Sequence, residues 1–165
     1  MKHSGVVRRP AAVVSIVDYR RRAILRPLAG ELARQHIHLD LVFDALVDAC
    51  VGRSWPDVLD EWRYFDPALR AHMEREERHL FPAFRDVNPE EVDVLAEQHG
   101  ELRRTLDIIG VGMHLQSVAV NDLDTLATML EEHAEHEARV FQRWIDRGVK
   151  NVTPVRRSPS GCPVG

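Results

Sequence analysis

His72-Met-Glu-Arg-Glu-Glu-Arg-His-Leu-Phe-Pro82 places two histidines and three glutamates in the eight residues that precede an apolar close. The apolar end belongs to a core, yet the polar side chains are of the kinds that bind protons and metals. His72 and Glu76 stand four residues apart, and four residues advance a helix by one turn plus about 40°, so both side chains share one face.

Outward from this stretch, proline and glycine clusters divide the chain into four long pieces with apolar residues at three- and four-residue steps, the mark of amphipathic helices. The first runs from about Pro27 to Cys50, with Leu28, Leu32, His36, Leu39, Phe43 and Leu46 on one face, and Val51-Gly-Arg-Ser54 stops it. The second lies between Trp55 and Phe84, with Asp66-Pro67 as a kink or a fresh start. The third opens on Asn88-Pro-Glu-Glu91, where Asn88 offers a capping side chain and Pro89 takes the first helical position. Its inner face reads Val92, Leu95, His99, Leu102, Leu106, Ile109. The fourth begins near Asn121 or Asp122 and repeats Leu123, Leu126, Leu130, His133, Glu137, Val140 and Trp144, with Gly148 past its end. No strand alternation competes with this pattern. The expected fold is all-α, an up-down antiparallel four-helix bundle over residues 27–149. Residues 1–26 are expected to form a less regular arm or short helix ahead of it, and residues 150–165 a mobile, Pro- and Ser-rich tail.

Composition sets the limits. The 165 residues suit one domain with a real core, at 44% hydrophobic and 29% charged. The net charge of −4 hides an acidic body: residues 1–26 carry +6 and 150–165 carry +3, leaving −13 for residues 27–149. That balance argues against a nucleic-acid partner. No run approaches the roughly 18–20 apolar residues of a membrane span, and Arg8–Val17 resembles a leader only until Asp18. Cys50 and Cys162 make no disulfide framework. A cytoplasmic protein, monomer or homodimer, is expected.

Each of the four apolar stripes is interrupted by one histidine: His36, His72, His99 and His133. Two of them are followed four residues later by glutamate, Glu76 and Glu137. With 13 Glu in the chain, nine histidines give roughly 0.7 such pairs by chance, so the pairs alone decide little. Their height on the helices decides more. The His72/Glu76 midpoint lies 11 residues before Arg85 and His99 lies 10 after Pro89; His99 lies 13 before Gly112 and His133 lies 11 after Asp122. Antiparallel packing at about 1.5 Å per residue gathers all six side chains into one layer. Two carboxylates in an apolar core cannot both stay charged uncompensated, and cations resolve the conflict. Four imidazoles and two bridging carboxylates suit a pair of ions, and His plus carboxylate without thiolate favours iron over manganese or zinc.

On these residues the sequence resembles the hemerythrin-like, or HHE cation-binding, family over roughly residues 28–146. The motif residues are His36 in Arg34-Gln-His-Ile, His72 and Glu76 in the opening stretch, His99 in Glu97-Gln-His-Gly, and His133 with Glu137 in His-Ala-Glu-His-Glu-Ala-Arg-Val-Phe. The resemblance implies a four-helix bundle around a non-haem di-iron centre with carboxylate and oxo or hydroxo bridging. Oxygen-carrying members add a His and an Asp at the positions held here by Arg103 and Ala138, which speaks against reversible oxygen carriage. The site is similar to that of iron–sulfur repair proteins, whose separate domain with paired cysteines has no counterpart in residues 1–35.

The function expected is redox chemistry with, or sensing of, oxygen, peroxide or nitric oxide under oxidative or nitrosative stress; iron storage, delivery or iron–sulfur repair without turnover is the rival, and one structural metal or none the third reading. Around the site, Asp40 is a possible third carboxylate, and His38 falls on the far side of its helix. His79, His114 and His136 are assigned to solvent, with His136 in reserve. Glu77 and Glu97 read as surface charges, although some acid is expected to accept an N–H from a histidine of the site. Tyr64 reads as a packing residue.

Overall fold

The computed structural model describes the backbone of residues 16–149 and side chains within residues 27–141. Most of the leader-like segment, the tail with Cys162, and the side chain of Trp144 lie outside the described residues. Four long helices and one short one follow in order: α1 Ile16–Val51, α2 Trp55–His79, α3 Phe81–Arg85, α4 Pro89–His114 and α5 Val120–Val149. No strand occurs among the described residues, and no described helix is long and apolar enough to cross a membrane.

Helix α1 packs against α2 and α5, and α4 packs against the same two, so α1 and α4 lie on a diagonal. Cross-helix contacts fix the directions. His36 meets His72 while Phe43 meets Phe65, so α1 and α2 run opposite ways. His99 meets His133 while Thr105 meets Met129, so α4 and α5 do too. Glu77 reaches Arg103 while Arg70 reaches Asp107, which makes α2 and α4 antiparallel as well. The result is the expected up-down bundle.

Several boundaries differ from the sequence expectation. Helix α1 begins at Ile16 and passes through Pro27 instead of starting there. Pro67 likewise sits inside α2, where Asp66 and Arg70 pair at 2.7 Å one turn apart across it. Each proline removes one N–H from the ladder, and the flanking turns continue regardless. Pro82 acts more strongly: α2 ends at His79, and Leu80 caps it before the separate turn α3. Asn88 makes no side-chain cap bond at the start of α4, although Pro89 takes the first position. Gly148 falls inside α5, not beyond it. Near the end of α4, a Cβ at Gly112 would stand 2.9 Å from Val118 Cγ2, so a larger residue there would have to displace the Val118 side chain.

The apolar core is in two parts. Leu39, Phe43, Leu46, Phe65, Leu69, Met73, Leu102, Leu106, Leu123 and Leu126 belong to one cluster, and Leu32, Leu80, Phe81, Phe84, Val92, Leu95, Val140 and Phe141 form the other. On each helix the residues that separate the two are polar: His36, His72 with Glu76, His99, and His133 with Glu137. Outside these, no charged or imidazole side chain is buried among the described residues.

Candidate metal centre

The amphipathic stripes that build the two clusters also aim the polar layer inward: His36, His72 and His99 each stand one turn from a buried leucine, and His133 stands one turn from the half-buried Leu130. His72, Glu76, His99, His133 and Glu137 are buried, and the His36 side chain retains 24% exposure. All six sequence-predicted side chains converge. His36 Nε2 and His72 Nε2 stand 2.6 Å apart, and His99 Nε2 and His133 Nε2 stand 3.2 Å apart. Glu76 bridges the two pairs, with Oε1 3.0 Å from His72 Nε2 and Oε2 3.3 Å from His99 Nε2. Glu137 Oε2 lies 3.2 Å from His36 Nε2 and 3.9 Å from His133 Nε2.

For three of the four imidazoles, the contact at Nδ1 fixes where the ring proton sits. His72 Nδ1–H donates to Gln35 Oε1 at 3.2 Å, His133 Nδ1–H to Gln98 Oε1 at 3.2 Å, and His99 Nδ1–H to Glu77 Oε1 at 2.9 Å. A neutral imidazole has one N–H, so fixing it on Nδ1 leaves Nε2 as a bare lone pair. Three such lone pairs face a carboxylate whose two oxygens are buried without a hydrogen-bond partner, as is Glu137 Oε2. A buried site so crowded with unpaired acceptors is costly unless a cation fills it.

The proton affinities follow from the same geometry. Burial pushes His72 down to about 4 and His133 down to about 3, with the adjacent His36 and His99 acting in the same direction, so both are neutral near pH 7. At His36 burial pulls the same way, but Glu137 outweighs it and holds the imidazole above its ordinary value. Burial raises Glu76 to about 7. Glu137 is also buried, yet its contact with His36 more than offsets this and holds it below the usual carboxylate range.

Two overlapping groups of donors have metal-site dimensions. The ligand-type atoms of His36, His72, Glu76 and Glu137 lie within 4.8 Å of one another, as do those of Glu76, His99 and His133. Glu76 belongs to both. Against the layer lies a cavity of about 30 Å³ walled by Leu39, Phe65, Leu69 and Leu130 with His36, His72 and His133, and Asp40 stands exposed at its edge. Asp40 therefore borders the cavity without joining either group.

Sequence reasoning missed the residues that orient the imidazoles. Gln35 and Gln98 each precede a histidine of the site and each binds a different one, on the next helix; the repeated Gln-His dipeptide is the signal that could have found them. Glu77 is no mere surface charge: it accepts from His99 and is clamped by Arg103 at 2.7 and 2.9 Å. Burial works to raise Glu77, but Arg103 and His99 hold it below the usual range. Tyr64 is 54% exposed and meets His38 at 3.0 Å, so it does not pack in the core. His136 is half-buried and pairs with Glu91 at 2.8 Å, whereas His79, His114 and Glu97 are exposed.

Comparison with curated proteins and with solved structures finds no significant match. The family model of the hemerythrin HHE cation-binding domain matches residues 28–145, a span that contains every residue of the polar layer. The chain therefore belongs to the hemerythrin HHE cation-binding domain family, whose members bind metal, usually iron.

Proposed function

We propose that His36, His72, Glu76, His99, His133 and Glu137 hold two iron ions and that the protein uses them for redox chemistry with, or sensing of, a small molecule such as oxygen, peroxide or nitric oxide. The observation that carries this reading is the excess of buried acceptors: the lone pairs of His72, His99 and His133, fixed inward by Gln35, Glu77 and Gln98, face the two Glu76 oxygens, which have no hydrogen-bond partner. Neutral nitrogen and carboxylate donors without thiolate suit iron. A pair of bound irons would supply one- and two-electron redox capacity that a closed-shell ion lacks.

The chain's own residues account for the rest. Glu76 spans both histidine pairs and so ties the two positions together. Leu39, Phe65, Leu69 and Leu130 keep the approach apolar, and a cavity of about 30 Å³ has room for one or two water-sized species but excludes organic substrates. Size thus favours a diatomic or a peroxide. Asp40, at the solvent edge of that cavity, is the group positioned to pass a proton between the cavity and bulk water.

The test is anaerobic reconstitution with Fe(II), metal counting, and stopped-flow mixing with oxygen, peroxide or NO in turn. Two irons per chain with rapid spectral change on at least one reactant are expected. A folded chain that binds no iron would refute the centre, and a loaded chain inert to all three would favour iron storage or delivery.

A further inference from the structure

The site has an internal two-fold resemblance that breaks at one place. Gln35, His36, His72 and Glu76 on α1 and α2 correspond to Gln98, His99, His133 and Glu137 on α4 and α5, and each Gln serves the histidine of the neighbouring helix. In this correspondence His36 matches His99. The residue after Glu76 is Glu77, which accepts the Nδ1–H of His99; the residue after Glu137 is Ala138, which offers His36 nothing comparable. Among the described residues His36 Nδ1 has no hydrogen-bond partner, and its side chain is 24% exposed where that of His99 is fully buried. One turn beyond, Arg103 clamps Glu77 through both carboxylate oxygens, while the matching position after His36 is the exposed Asp40. Phe81 stacks on the His99 ring at 5.2 Å and 23°.

Resting on the two-ion reading above, we propose that Glu77, held by Arg103, is a positioning residue that makes the two ion positions unequal. The ion bound by Glu76, His99 and His133 is retained, and the ion on the His36 side is the one that exchanges with solvent. Release of an ion needs a ligand to swing away and water to enter. His99 is restrained by a charge-assisted bond, a ring stack and complete burial, so it does neither readily. His36 has no such bond at Nδ1, meets only the edge of the His72 ring, and already reaches solvent.

The experiment is removal of Fe(II) by a chromogenic ferrous chelator from the full chain loaded anaerobically with two equivalents. Two kinetic phases of one iron each are expected. Glu77→Ala should speed the slow phase roughly 10- to 100-fold, the range by which such outer partners alter metal sites, and leave the fast phase within about threefold. Glu77→Gln keeps an acceptor oxygen beside His99 without the charge and should fall between wild type and Glu77→Ala, which guards against a folding defect in the alanine variant. His36→Ala should remove the fast phase and spare the slow one. A single phase in the wild type, or a slow phase indifferent to both Glu77 variants, overturns the proposal while leaving the di-iron reading intact. A wild-type chain that binds no iron overturns both.

Discussion

Replacing Glu76 with Gln should stabilise the iron-stripped protein at pH 8 and disable it as an iron binder. Glu76 is fully buried, and neither carboxylate oxygen has a hydrogen-bond partner. Its folded-state value near 7 lies above the ordinary 4.5, so the folded chain holds this proton more tightly than the unfolded chain. The sign follows: the penalty is absent below the unfolded value and grows as pH rises through the folded one. At about 1.4 kcal/mol per tenfold, the ionised form costs the fold about 3 kcal/mol at pH 8 and less than about 1 kcal/mol at pH 5. A Gln amide also has to be buried, but it costs the same at both values of pH, so the difference between them isolates the charge. For a chain of this size, about 3 kcal/mol corresponds to a rise in Tm of roughly 6–12 °C. Thermal unfolding followed by circular dichroism in a strong chelator at pH 8 and pH 5 measures it. In iron-loaded protein the order should reverse, with wild type the more stable. An iron-stripped variant no more stable than wild type, or a difference that does not change with pH, would defeat the reasoning.

Three further outcomes follow from the same geometry. His72 and His133, lowered by burial to about 4 and about 3, are protonated more readily in the unfolded chain; the iron-stripped protein should therefore lose stability as pH falls from 6.5 toward 4, and His133→Leu should flatten that loss in urea titrations across this range. His99→Ala should reduce bound iron to one per chain or fewer with helix content retained, measured by metal analysis alongside far-ultraviolet circular dichroism. Leu130→Phe should fill the cavity of about 30 Å³ and slow the reaction of the Fe(II) protein with nitric oxide or peroxide by roughly tenfold or more, with the iron count unchanged; equal rates would show that ligands enter elsewhere.

The four amphipathic helices and the six converging side chains were legible because periodicity and height along a helix are local quantities that antiparallel packing converts directly into contacts. Leu95, His99, Leu102, Leu106 and Ile109 are buried as their spacing requires. Proline was harder to read. Pro27 and Pro67 lie inside helices, whereas Pro82 follows directly on the break between α2 and α3. Local propensity does not distinguish these cases, because the outcome depends on what packs around each turn. Glu77 was misread for a related reason. Its neighbour Glu76 takes the inward position, so one-helix periodicity assigns Glu77 to solvent. Only the approach of α4, bringing His99 and Arg103 together, turns it into the orienting carboxylate. Gln35 and Gln98 were missed because each acts on the helix beside its own.

The most direct measurement is iron per chain in protein loaded and desalted without oxygen, for wild type and Glu76→Gln side by side. Two irons in the wild type, and fewer than one in the helical, folded variant, are the predicted values. A folded wild type with no iron, or a Glu76→Gln protein that keeps both, would contradict the claim that this buried carboxylate exists to hold a metal pair.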